Sequence, residues 1–382
     1  MNDQDVPLPT LLEACQSLVR PNGVIVGTEI ESKTREAFPT LLSTIPLNPA
    51  TPFIASLDGR IPVSHEETHQ FIQEFGDSLH ALGVGRGQRV ALVLPNGPEL
   101  AMAILAVSNW TACVPLSATG AVTELEADLA RCGPDLIIGP YCAGPLPTRS
   151  NATTASSSAD TPSNRIDTLA KSAHVLPGTS TRDWTVHRHV KDVADKMGIP
   201  YVSLLPHPDK AGPFKLLVPL GRKTKTALDY FELPSIPENA PDFEHQVDTS
   251  MNTEKVSPSG WKTIGYDPQY TQYVSLPFTQ FEALVLFTSG TTGNKKLVPH
   301  LMGDILTAAT VIALSWQLKP TDVNCNMMPL FHVGGIVRQV FSPLVSSSAV
   351  ICSPSFDPSL FWAMLTANKP AFNWYCKCRL SY

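Results

Sequence analysis

The sequence predicts an α/β protein with mostly parallel sheets flanked by helices. Three observations carry that expectation. Between Arg89 and Gly139, apolar runs alternate with amphipathic stretches at the spacing of βαβ units. Helix-starting and helix-stopping residues stand where the pattern should change. A later apolar run at 283–287 reads as a buried strand and breaks into a loop of glycine, hydroxyl and lysine residues.

The elements follow in order. Residues 1–60 are proline-broken without a clear period and read as an irregular lead-in. Ser64 and Glu67 have the form of a capping box, in which each side chain satisfies the other's orphan amide. Phe71, Phe75, Leu79 and Leu82 then recur at helical spacing until Gly83 ends the helix. A turn at Gly85 and Gly87 leads to a buried strand at 89–94. Pro98 opens a helix through Trp110, and 112–116 is a strand. Thr123 and Glu126 read as a second capping box, for a helix that Gly133 stops. The next strand is 135–139.

The pattern then breaks. Residues 145–182 form a low-complexity, serine- and threonine-rich insertion with too little apolar surface to order itself. A helix at 186–197, stopped by Gly198, and a strand at 201–205 follow. Residues 206–281 are proline-rich and stay unassigned. Beyond the loop at 288–296 come a helix at 302–318, a strand at 323–328 and a helix from Ile336. A strand at 349–352, a helix at 358–368 and the stretch 371–375 complete the series. There is no internal repeat.

Composition narrows the function. Among 382 residues, 43% are hydrophobic and 16% charged, as in a packed protein. A net charge of −6 gives no basic face for nucleic acid. No apolar run reaches the roughly 18 residues of a membrane span, and the amino terminus lacks a signal-peptide pattern. The eight cysteines are scattered, and only Cys376 and Cys378 sit close together, without a partner pair for zinc. The expected compartment is a reducing, cytoplasmic one.

The chemistry concentrates in Thr288-Ser289-Gly290-Thr291-Thr292-Gly293-Asn294-Lys295-Lys296. Two glycines let backbone amides approach a ligand. Hydroxyls add donors, and a lysine neutralises oxygen charge, so the loop suits a polyphosphate. The Walker A spacing is absent.

This loop resembles the phosphate-binding signature of the AMP-forming acyl-adenylate superfamily, which includes acyl-CoA synthetases and the adenylation domains of non-ribosomal peptide synthetases. The usual form is Thr/Ser-Ser-Gly-Thr/Ser-Thr-Gly-x-Pro-Lys-Gly. Residues 288–293 match it, and Lys296 takes the place of its lysine. Lys295 stands for proline and Leu297 for glycine. The segment 83–99, Pro115-Leu116 with Glu124-Leu125, and Pro329-Leu330-Phe331-His332-Val333-Gly334-Gly335 are also similar to that superfamily.

The resemblance implies an acyl-CoA synthetase-like large domain: a partial AMP-binding domain over 61–375, interrupted at 145–182, with a non-family tail at 376–382. It implies ATP and Mg2+, and CoA or a carrier-protein phosphopantetheine as acceptor. Thr288, Ser289, Gly290, Thr291, Thr292, Gly293 and Lys296 would hold the phosphates, with Thr288 also reaching the metal. Lys296 and His332 would be the catalytic pair, His332 bordering the acyl pocket. Lys295 reads as a solvated lysine. The superfamily's later adenine, ribose and catalytic-lysine motifs, and its small C-terminal domain, do not appear. The chain is therefore expected to be a truncated, weakly active or inactive form of a ligase that activates a carboxylic acid with ATP as an acyl-adenylate and transfers it to a thiol, or a catalytically dead remnant acting only as a folded binding or regulatory piece. A longer form could be peroxisomal.

Overall fold

The computed structural model describes residues 10–38, 40–47, 51–142, 184–219, 230–232, 282–288, 295–359 and 361–362. The insertion at 145–182, residues 233–281, most of the helix expected at 358–368, the stretch 371–375 and the tail at 376–382 lie outside them.

The lead-in is structured, contrary to expectation. It holds α1 (Leu11–Gln16), α2 (Gly27–Ala37), α3 (Leu41–Thr44) and β1 (Pro52–Ser56). Short capped helices escape a periodicity search, since α1 and α3 are set by capping boxes at Thr10 and Thr40 rather than by a long apolar stripe. After β2 (Val63–Ser64), α4 (His65–Ala81) begins at Ser64, whose hydroxyl accepts from the Glu67 amide as the pattern requires. It buries Ile72, Phe75 and Leu79, each contributing about 2 kcal/mol by leaving water.

The alternation at 89–140 appears as β3 (Arg89–Leu94), α5 (Pro98–Trp110), β4 (Ala112–Ser117), α6 (Val122–Cys132) and β5 (Leu136–Pro140). The second capping box does not form. α6 starts two residues earlier, with Ala121 at its cap, which places Thr123 inside the first turn. Gly133 closes α6 in the left-handed region, a conformation that costs glycine little. Next come α7 (His189–Met197), preceded by a 3-10 turn at Thr185–His187, and β6 (Tyr201–Pro206).

The unassigned stretch supplies two strands that periodicity did not reveal, β7 (Phe214–Pro219) and β8 (Tyr230–Glu232). β9 (Glu282–Phe287) and β10 (Leu297–Leu301) form an antiparallel pair around the loop. They are followed by α8 (Met302–Trp316) and β11 (Val323–Asn326). The helix expected from Ile336 is a π-helix, Gly334–Phe341, that runs into α9 (Ser342–Val345). The Ser342 hydroxyl donates to the Val337 carbonyl five residues back, which suits the wider turn. β12 (Ala349–Cys352) ends the described strands.

The strands form two sheets. One has four strands in the order β11-β12-β1-β2, and the other has eight in the order β10-β9-β4-β3-β5-β6-β7-β8. The centre of the larger sheet is parallel from β9 to β6, and only its edges turn antiparallel. The class read from sequence thus holds. α5 is buried over almost its whole length and contacts strands of both sheets, so it forms the shared core between them. α6 and α7 pack on the other face through Leu125, Leu129, Val190 and Val193. β3 lies between β4 and β5, so the strand order reverses beside it. Open α/β sheets bind ligands at the carboxyl ends of strands at such a reversal.

Candidate functional site

A cavity of 720 Å³ opens at that reversal. Its walls include Asn96 and Glu99 after β3, Ser117 at the end of β4 and Thr119 beyond it, and His187 and Phe331 from later segments. β9 runs beside β4 with Cys113 opposite Leu284. Thr288 directly follows the carboxyl end of β9, and the parallel neighbour β4 ends at Ser117, which lines the cavity, whereas Thr288 and Lys296 do not.

The loop's ends are tied together. The Thr288 amide donates to the Lys296 carbonyl at 2.9 Å. The Lys296 amide in turn donates to Thr288 Oγ1 at 3.0 Å. Ser289, Gly290, Thr291, Thr292 and Gly293, expected to hold phosphates, lie outside the described residues. Lys296 is exposed, and no ion-pair partner for it is found among the described residues.

Lys295 is not the solvated lysine expected from sequence. Its Nζ meets Glu124 at 2.6 Å and Asp128 at 2.7 Å, both on α6, and it is 31% exposed. Its carbonyl accepts from the Arg131 guanidinium at 2.5 Å. Burial alone would lower its pKa, but the hydrogen bonds to Asp128 and Glu124 prevail and raise it above the ordinary lysine value. Sequence reasoning missed this because Glu124 and Asp128 are remote in the chain.

The segment bearing His332 is positioned by Asn96. The Asn96 amide nitrogen donates to the Ser353 carbonyl at 2.8 Å and the Met328 carbonyl at 3.3 Å, and its oxygen accepts from the Leu330 amide at 2.9 Å. Both polar ends of the side chain are thereby satisfied. Behind the segment, a Cβ on Gly335 would run into the Pro329 carbonyl, so only glycine fits. His332 itself is exposed, with its ring 4.7 Å from that of Phe331. Phe331, not His332, lines the cavity.

His187 was not foreseen. It follows the low-complexity insertion, where no periodic signal marks it. Its Nδ1 lies 3.1 Å from the Ala118 carbonyl, and burial lowers its pKa below the usual histidine value.

Among the described residues, no group of three or more His, Cys, Asp or Glu side chains could hold a metal. The donors among the described residues would suit Mg2+ only as an ion carried in by a polyphosphate. No helix of the described residues is long and apolar enough to cross a membrane.

The sequence pattern of the AMP-binding enzymes matches residues 48–375. Oxalate–CoA ligase of Saccharomyces cerevisiae is 38% identical over 93 residues, which is 24% of this chain and 17% of that enzyme. Malonate–CoA ligase of Arabidopsis thaliana is 34% identical over 93 residues, covering 24% of this chain and 15% of that enzyme. Apo MatB from Rhodopseudomonas palustris superposes with a TM-score of 0.50 at 16% identity, over 86% of this chain and 48% of that one. ATP-bound MatB gives the same score and coverage at 17% identity. The chain spans about half the length of these solved structures, and the likeness establishes the fold.

Proposed function

The chain belongs to the AMP-binding enzyme family, and on that footing we propose that it is built to activate a carboxylic acid with ATP and pass the acyl group to a thiol. A carboxylate oxygen attacks the α-phosphorus, the bond to the bridging oxygen breaks, and pyrophosphate leaves with an acyl-adenylate formed. The thiol sulfur then attacks the acyl carbon and AMP departs. Coenzyme A is favoured over a carrier protein as acceptor, because the matched relatives are named as CoA ligases. Oxalate and malonate, named in those relatives, are the first acids to try.

The observation that carries this reading is the tied pair Thr288 and Lys296 at the carboxyl end of β9, next to β4, whose last residue Ser117 lines the cavity at the strand-order reversal. The first step builds negative charge on the leaving pyrophosphate, so aimed donors and a fixed cation lower its barrier. Lys296 supplies that cation at the loop's exit. With Oγ1 accepting from the Lys296 amide, the Thr288 hydroxyl keeps its proton and a further lone pair for a phosphate oxygen or its Mg2+. The amides of Gly290 and Gly293 and the hydroxyls of Ser289, Thr291 and Thr292 would complete the cradle. His332 would border the acyl group beside Phe331.

Acid-dependent exchange of labelled pyrophosphate into ATP tests the reading. Exchange with at least one acid, abolished by Lys296→Ala, supports the ligase. Absence of exchange with every acid, alongside retained ATP binding, would leave only a nucleotide-binding piece.

A further inference from the structure

We propose that Lys295 is a positioning residue, holding the exit of the phosphate loop against α6 so that Lys296 and Thr288 stay in place for a nucleotide. The inference rests on the ligase reading for its ligand, but its geometry stands apart from it.

Three residues of α6 converge on this one lysine. Glu124, Asp128 and Arg131 recur at i, i+4 and i+7, which sets them on one face of the helix. The two carboxylates take the Lys295 ammonium at 2.6 and 2.7 Å, and the guanidinium takes its carbonyl at 2.5 Å. Side chain and main chain of one residue are thus fixed from the same helix. Asp128 is only 13% exposed, so its pairing is less screened than that of a surface pair. The ammonium also lies 5.7 Å from the centre of the Phe287 ring, at the end of β9.

The next residue is Lys296, which exchanges hydrogen bonds with Thr288 across the hairpin. The adjacent lysines therefore divide the work: one is neutralised and anchors the strand, and the other faces out. Lys295 is poorly suited to bind phosphate itself, since Glu124 and Asp128 already hold its charge and would repel an anion. Where the resembled signature has a proline, this chain has an electrostatic link to a neighbouring helix.

The sign of one substitution separates the two roles. If Lys295 bound phosphate, Asp128→Asn would release it and remove a nearby negative charge, and ATP would bind more tightly. If Lys295 holds the loop, the same change loosens the exit and ATP binds more weakly. Equilibrium binding of ATP and AMP to the full chain is measured, with hydrogen exchange of the β10 amides alongside. The expected result for Asp128→Asn and Lys295→Met is ATP affinity lower by about two- to fivefold, AMP affinity little changed, and faster exchange at 297–301. The exchanged pair Lys295→Asp with Asp128→Lys should recover most of the ATP affinity. Tighter or unchanged ATP binding in Asp128→Asn overturns the proposal. Should the wild-type chain bind no ATP, the nucleotide reading fails, and exchange alone decides: unaltered rates at 297–301 in both single variants overturn the anchoring role.

Discussion

Arg60 and Glu99 meet in an ion pair sealed from solvent, with side chains 3% and 5% exposed. The contact joins the turn after β1 in the smaller sheet to the first turn of α5, the helix shared by both sheets. Arg60 also pairs with Asp58 at 2.8 Å and donates to the carbonyls of Lys210 and His207 at 3.1 and 3.3 Å. One guanidinium therefore ties four points of the chain at the floor of the cavity.

Arg60→Leu should destabilise the fold by about 3–5 kcal/mol, because it leaves Glu99 and Asp58 without their counter-ion in a poorly hydrated place. The double variant with Glu99→Leu should recover part of that loss. Chemical denaturation midpoints check both. Equal stability of Arg60→Leu and wild type would show that the pair is dispensable.

Acid should weaken the protein through His65. Its ring is buried against Phe53, with Nε2 3.2 Å from the Ser348 carbonyl and no hydrogen-bond partner on Nδ1 among the described residues. Burial pulls its pKa down to about 4. The unfolded chain takes up this proton near pH 6.5 and the folded one only near 4, so the contribution is complete above 6.5 and fades as pH falls between these values. The slope is about 1.4 kcal/mol per pH unit over that window. Stability against pH for His65→Gln should be flatter by that amount, and parallel curves would contradict it.

Gly335→Ala should cost about 3 kcal/mol or more, since the added methyl meets backbone at Pro329 rather than a movable side chain. Gly334→Ala should cost less, because its nearest neighbour is the flexible end of Met328. Melting temperatures of the two variants give the comparison, and a reversed order would refute it.

Asn96→Asp keeps the shape but turns a donor toward the carbonyls of Met328 and Ser353 into an acceptor. The expected loss is about 2–3 kcal/mol, the cost of unmet buried polar groups. If acid binding uses the His332 segment, the Michaelis constant for the acid should rise more than that for ATP.

Local signals were readable in the sequence where one element carried its own punctuation. Ser64 with Glu67, Pro98 and Gly133 marked their helix ends because caps act over three or four residues. β7 and β8 stayed hidden because their stability comes from partners on a sheet edge, not from their own pattern. The hydroxyl-and-glycine loop was legible as a motif. Its anchoring was not, because Lys295 is 171 and 167 residues from the carboxylates it meets. Arg60 with Glu99, and Asn96 with Leu330, were invisible for the same reason: tertiary pairing leaves no trace in spacing.

The pairing of β1 with β12 sets a schedule for biosynthesis. Ile54 lies opposite Val350, so the first strand emerges almost three hundred codons before its mate. At roughly 5–20 residues per second the wait is on the order of 15–60 s, during which an apolar ribbon, Phe53 to Ala55, has no neighbour on that side. Ribosome-bound chains halted before codon 349 should therefore recruit chaperones at this ribbon, and those halted well past it should not.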